Sequence, residues 1–280
     1  MALSVRTNVA SIRAASQLNS TQNQLTSSLE RISSGLRVNR AADDSAGLSV
    51  ATRMESDNTS LKQAIRNAND GISMVQTAEG GLNEVYDILV RLRELSTQAS
   101  NETYNSQDRS QMNTEYSNLV GEISRIVSVA QFNRQNILNQ TSTQFTIQIG
   151  IQNNDDNQLN INLSTLNSTL GALGLTSSFQ SIALTRVASA AANLGQIDKA
   201  LNFINTRRAY LGAVQNRLEN ALSEATNYSE NLSATSSQIL DVDYAEESAN
   251  MTRNQIMQQA GVAALGQAKA IPQSVVSLLS

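Results

Sequence analysis

The sequence predicts a mainly α fold: a rod of long helices in coiled-coil or bundle packing, with one β-hairpin. Three observations predict it. From Leu194 to Val242 apolar residues recur in steps of three and four: Leu194, Ile197, Leu201, Ile204, Leu211, Val214, Leu218, Ala221, Ala225, Tyr228, Leu232, Ile239 and Val242. Arg208 and Thr235 fill the two gaps. A seam held for about seven heptads marks a helix packed along its length on other helices, roughly 70 Å at ~1.5 Å per residue. Proline occurs once, at Pro272, against a usual share of about 5%, so little interrupts such helices. Near Phe145 the period changes from helical spacing to strict alternation, which calls for a pair of strands.

In chain order, Val5, Val9 and Ile12, then Leu18, Leu25, Leu29, Ile32 and Leu36, mark an amphipathic helix with a Ser/Asn/Gln outer face. Ser33-Ser34-Gly35 should end it, because glycine lets the chain leave helical geometry. Leu36 to Gly47 reads as a linker, with Asp43, Asp44 and Ser45 available to cap the next helix. From Leu48 to Ser100 the seam resumes through Leu61, Ile65, Ala68, Ile72, Val75, Ala78, Leu82, Val85, Leu89, Leu92, Leu95 and Ala99. Gly80-Gly81 should make it locally irregular. Asn101 to Asn105 is a turn, and Ser106 with Asp108 opens a helix carrying Met112, Tyr116, Leu119, Ile123, Ile126 and Ala130. A short connection makes these two helices antiparallel neighbours, and the opening helix can join them in a bundle.

Phe145, Ile147, Ile149 and Ile151 then alternate with polar residues or Gly150, and Leu159, Ile161 and Leu163 alternate again beyond the turn chemistry of Asn153 to Asn157. The hairpin should lay its apolar face on the helices. Leu166 to Phe179 is small and polar enough to be a loop. After the long helix, Ala249, Ile256, Ala260 and Ala263, then Val275, Val276, Leu278 and Leu279, make a last amphipathic helix, with Pro272 opening a short terminal piece. Both ends carry too few large residues to be stable alone. They can pair with each other, should be mobile in a monomer, and should order when buried against other copies.

Composition narrows the function. Charged residues make up 16% of the chain, against ~25% in an average protein, and Ser, Thr, Asn and Gln fill the deficit. Neutral polar flanks suit a rod whose sides touch further copies of itself. A net charge of −4 without a Lys/Arg cluster argues against nucleic acid. No run of apolar residues reaches a membrane span, and Met1 to Ala10 has no signal-peptide core. Histidine and cysteine are both absent, which excludes Ser-His-Asp and Cys-His systems, His-ligated metals and disulfides. Carboxylate pairs at Asp43-Asp44, Asp155-Asp156, Asp241/Asp243 and Glu246-Glu247 read as caps, turn residues and a solvated face. No enzyme activity, cofactor or metal is expected.

Particular segments carry more than periodicity does. SSGLRVNRAADDSAGL (Ser33 to Leu48), DGISMVQTAEGGLNEV (Asp70 to Val85), LVRLRELSTQASN (Leu89 to Asn101), AQFNRQNIL (Ala130 to Leu138) and the run from Glu247 to Leu279 closely resemble bacterial flagellin. The resemblance covers nearly the whole chain, without an inserted outer domain between about Leu166 and Ile182, as in a minimal, core-only member. It implies discontinuous domains: an inner coiled coil of residues 1–43 and 240–280, and an outer-core helical bundle of residues 44–239 with a hairpin at about 144–164. It further implies a structural subunit, extracellular in the flagellum and exported through the flagellar type III route without a cleaved signal. Such a chain would meet an export chaperone, hook-associated proteins and a cap protein.

Self-contact in that family is heterologous and non-closing, which gives a helical filament. The terminal helices would carry it here through Val5, Val9, Ile12, Leu25, Leu29 and Ile32, and through Ile256, Ala260, Leu265, Val275, Leu278 and Leu279. The family's surface for a Toll-like receptor of the host matches Arg91, Leu95 and Glu115, although the neighbours Val90, Ser96 and Thr97 depart from its commonest pattern. Leu95 also lies on the seam of its own helix, and Arg91 and Glu115 equally read as surface charges. A hook–filament junction protein and a secreted coiled-coil adhesin or effector are the alternatives.

Overall fold

A computed structural model describes residues 7–139, 144–162, 171–173, 184 and 186–279, with the backbone alone for residues 271–279. Val5, Leu163 and most of the expected loop from Leu166 to Phe179 lie outside the described residues, as do the side chains of Val275, Val276, Leu278 and Leu279. The helices are α1 (Val9–Ser34), α2 (Ser45–Ala99), α3 (Ser106–Val129), α4 (Val187–Leu240) and α5 (Tyr244–Leu279). Between α3 and α4 lie the strands β1 (Gln131–Phe132), β2 (Gln135–Asn136), β3 (Gln144–Gln148) and β4 (Gln158–Asn162). The chain forms two compact units, Thr59–Ser229 and Met1–Asn58 with Glu230–Ser280. Helices α2 and α4 contribute residues to both.

The unit of Thr59–Ser229 holds the apolar core. On α2 the buried line is Leu61, Ala64, Ala68, Gly71, Val75, Ala78, Leu82, Val85, Leu89, Leu92, Ser96 and Ala99. Its steps of three and four are unbroken, and Ile65 and Ile72, expected on this line, are only half-buried beside it. Space explains the exchange at Gly71: a Cβ there would stand 2.4 Å from Ile147 Cδ1 of the hairpin. The irregularity expected at Gly80-Gly81 does not occur, and α2 is helical throughout. Gly81 serves packing instead, since its Cβ would lie 2.8 Å from Leu138 Cδ1.

Helix α3 begins one residue after Asn105, in a capping box with Asp108. The Asp108 N–H donates to Asn105 Oδ1 at 2.9 Å, and the Asn105 N–H donates back to Asp108 Oδ2 at 3.3 Å. Arg109 is buried and closes the end of α2, donating to the carbonyls of Ala99 (3.1 Å) and Asn101 (2.9 Å). Tyr116, Val120, Ile123 and Val127 face the core, whereas Met112, Leu119 and Ile126 pack at its margin. On α4 the line Ala190, Asn193, Ile197, Ala200, Ile204, Leu211, Val214, Leu218, Ala225 and Leu232 is buried. Tyr228, expected on it, is exposed. Arg208 occupies the gap half-buried, its guanidinium 5.7 Å from the Tyr86 ring centroid.

β3 and β4 form the expected antiparallel hairpin, with Phe145 opposite Ile161 and Ile147 opposite Leu159. Ile149 and Ile151 lie past the end of β3. A second, smaller hairpin pairs β1 with β2 through Asn133 and Arg134, both at positive φ (49° and 64°), as a two-residue primed turn requires. Asn136 donates to the carbonyls of Val127 and Ser128 at the end of α3, and Ile137 and Leu138 are driven fully into the core.

In the other unit α1 pairs with α5. Gly35, at φ 75°, turns the chain out of α1 while its N–H donates to the Arg31 carbonyl. Leu36 then bridges Asp241, and the N–H of Val242 donates to the Gly35 carbonyl. Asp43 accepts from the N–H groups of Asn39 and Arg40; the Arg40 bond chiefly holds its carboxyl below the ordinary carboxylate value. Asp44 caps α2 by accepting from the Gly47 N–H at 2.8 Å, so that helix starts at Ser45 and Gly47 belongs to it. Asp243 caps α5 in the same way, accepting from Ala245 and Glu246. Helix α5 continues past Pro272 without a break, so no separate terminal piece forms.

Candidate functional site

Among the described residues no three of His, Cys, Asp and Glu are placed to hold a metal ion, and no helix is long and apolar enough to cross a membrane. The feature that departs from an ordinary folded domain is the surface of the α1/α5 pair.

That pair buries few apolar side chains and leaves several large ones exposed. Thr21, Leu25 and Ser28 are the buried residues of α1, and Glu247 and Asn254 are buried on α5. Glu247, expected on a solvated face, is 6% exposed, with Arg31 Nη1 at 3.7 Å. Val9, Ile12 and Leu29 of α1, and Ile256, Met257 and Val262 of α5, are exposed, from 39% at Met257 to 62% at Ile256. Of the other expected contact residues, Ile32 and Leu265 are half-buried and Ala260 is exposed. Among the described residues, eight of the ten exposed large hydrophobics lie in this unit, where the buried hydrophobic residues are Leu25, Val38, Ala51 and Leu232. Met257 and Val262 went unnoticed in the sequence because they sit off the row that runs through Ile256, Ala260 and Ala263.

Polar groups hold the two helices together. Asn8 Nδ2 donates to the Ala268 carbonyl at 2.8 Å, the Gln258 side chain donates to that of Gln22, and the Tyr244 hydroxyl donates to the Ile32 carbonyl at 3.3 Å. Small residues permit the approach. A Cβ on Gly261 would stand 3.2 Å from Leu18 Cδ1, and one on Gly35 would stand 3.3 Å from the Tyr244 hydroxyl. The pairing is therefore antiparallel and in a defined register, yet it leaves the largest side chains uncovered.

The second candidate surface lies in the other unit. Arg91 of α2 donates to Glu115 Oε1 of α3 from Nε (3.0 Å) and Nη2 (2.8 Å), and to Glu94 from Nη1 (2.9 Å). These bonds, the one to Glu94 first, raise the Arg91 pKa above its ordinary value. Leu95 does not join Arg91 and Glu115 on the surface: it is 2% exposed, within the core. The expected three-residue patch is thus two exposed charges over a buried leucine.

Comparison with known proteins agrees with this architecture. A family model for the bacterial flagellin N-terminal helical region matches residues 5–143, and one for the C-terminal helical region matches residues 194–279. A flagellin of Halalkalibacterium halodurans is 43% identical over 92% of this chain and 92% of its own. The flagellar filament 33 kDa core protein of Treponema phagedenis is 40% identical over 97% of this chain and 98% of its own. A flagellin of Bacillus subtilis is 36% identical over 97% of this chain and 98% of its own. With these matches spanning both ends and the hairpin region between them, the chain belongs to the bacterial flagellin family.

Proposed function

We propose that this chain is the repeating structural subunit of a bacterial flagellar filament, serves motility, and joins its neighbours through the outward apolar faces of α1 and α5. The observation that carries this reading is the set of large apolar side chains left exposed on the α1/α5 pair, Val9, Ile12, Leu29, Ile256, Met257 and Val262, while Thr21, Ser28, Glu247 and Asn254 join Leu25 among its buried residues. Burying each half-exposed aliphatic side chain gains about 1 kcal/mol, so a subunit with six of them gains several kcal/mol from neighbours on both sides. Heterologous contacts that do not close build a helical filament. The contact set is Val5, Val9, Ile12, Leu29 and Ile32 with Ile256, Ala260, Leu265, Val275, Leu278 and Leu279; Leu25, also expected in it, is 7% exposed and already buried within the subunit.

The same reading assigns an inner domain to residues 1–43 and 240–280 and an outer-core domain to residues 44–239. It also assigns export through the flagellar type III route without a cleaved signal, an export chaperone for the terminal helices, and hook-associated and cap proteins at the filament ends. A chain with no cysteine and one proline forms no disulfide and has few slow isomers to delay threading. Recognition by a Toll-like receptor falls to Arg91 and Glu115, which are half-exposed and paired across α2 and α3.

Deleting Asn254–Ser280 tests the assembly reading. The truncated chain should keep the helical core of Thr59–Ser229 by circular dichroism and fail to polymerise. Filaments from the truncated chain would overturn the assignment.

A further inference from the structure

We propose that Asn8 is the register pin of the terminal helix pair, a positioning residue whose side chain closes the gap that Pro272 opens in α5. In an α-helix each carbonyl accepts from the N–H four residues on, and proline has none to give. The carbonyl left without its helical donor by Pro272 is that of Ala268. Yet α5 runs as one helix from Tyr244 to Leu279, and Asn8 Nδ2 donates to Ala268 O at 2.8 Å.

The other end of the same amide is also engaged. Asn8 is the N-cap of α1, and its Oδ1 accepts from the Ser11 N–H at 3.1 Å. One side chain thus satisfies a free donor at the start of α1 and a free acceptor in α5. Any shift of α5 by a residue would bring Asn8 opposite a carbonyl already bonded within its own helix. The proline therefore marks a single address on α5, and Asn8 reads it.

Apolar packing cannot supply this selectivity, because Leu25 is the one large apolar side chain buried along α1. The remaining cross-contacts cluster elsewhere: Gln22 with Gln258, Arg31 with Glu247, and Ile32 with Tyr244. Asn8 ties the end of the pair farthest from Gly35. The inference rests on the filament reading, because neighbouring copies can use the outward faces of α1 and α5 together only when the two helices hold one register.

The test is a double-mutant cycle on the full chain, read as the critical concentration for polymerisation onto seeds. Asn8→Ser keeps an N-cap side chain and removes the amide donor. Pro272→Ala returns an N–H to Ala268. With Pro272 present, Asn8→Ser should raise the critical concentration about tenfold, the size expected when a part-buried carbonyl loses its donor. In the Pro272→Ala background the same change should shift it less than twofold. An equal effect in both backgrounds would overturn the proposal, because the loss would then not pass through the Ala268 carbonyl. An unvaried chain that forms no filaments would overturn the filament reading and this inference with it, whereas filaments without the non-additivity would overturn the inference alone.

Discussion

Gly80 and Gly81 are adjacent in α2 and should respond to alanine with opposite signs. Glycine inside a helix costs about 1 kcal/mol relative to alanine, so each substitution begins with that gain. At Gly80 nothing lies within 4 Å of a new Cβ, and the site is exposed. Gly80→Ala should therefore stabilise the unit by about 1 kcal/mol, or about 2–4 °C for a unit of this size. At Gly81 the Cβ would stand 2.8 Å from Leu138 Cδ1 and 3.6 Å from the Ala130 Cβ. Leu138 is fully buried and held by the small β1/β2 hairpin, so it cannot swing aside. Overpacking of this kind costs about 1–3 kcal/mol, which offsets the helical gain and leaves a net loss of about 1 kcal/mol. Urea unfolding followed at 222 nm separates the two outcomes. Stabilisation by both substitutions would refute the packing role of Gly81, and destabilisation by both would refute the unbroken helix.

Leu89→Ala, at a fully buried position, should cost about 2–5 kcal/mol in the same assay. Leu29→Ala, at a position 49% exposed, should leave unfolding of the soluble chain within about 0.5 kcal/mol but weaken polymerisation measurably by sedimentation. Burial holds the Tyr116 phenol protonated well above its ordinary value of 10.0. Its contribution is complete below about pH 10 and is lost as pH rises beyond, because the unfolded chain sheds the proton that the folded chain keeps. Tyr116→Phe should thus flatten the fall in melting temperature between pH 9 and 12, and an unchanged slope would refute that burial. Arg91→Ala and Glu115→Ala break an exposed pair, so each should leave stability nearly unchanged. Each should also reduce receptor binding in surface plasmon resonance, and full binding by both variants would remove Arg91 and Glu115 from that role.

Most of the helical framework was legible because apolar burial leaves a period in the sequence. Leu82, Val85, Leu89 and Leu92 lie where steps of three and four place them, and Phe145 and Ile147 face Leu159 and Ile161 as alternation requires. The errors arose where burial and composition separate. A glycine carries no hydrophobic signal, so spacing puts Ile72 on the seam where Gly71 is buried and makes Gly81 part of an irregularity, yet each is small so that Ile147 or Leu138 can fill the space above it. Strands of two residues have no period, which hid β1 and β2. Leu95 reads as surface by resemblance and as core by spacing, and the spacing decided. Least legible was the α1/α5 pair. Its register depends on Asn8, Gln22, Arg31, Glu247 and Tyr244, polar residues whose spacing follows the partner helix and not their own.

In the proposed filament the outward faces of α1 and α5 meet further copies of this chain. Purified protein mixed with short filament seeds in a kosmotropic salt, which strengthens apolar burial, and viewed by negative-stain microscopy tests it most directly. Long, uniform filaments that lengthen from the seeds are the predicted result. Monomers or small closed oligomers under the same conditions would contradict it.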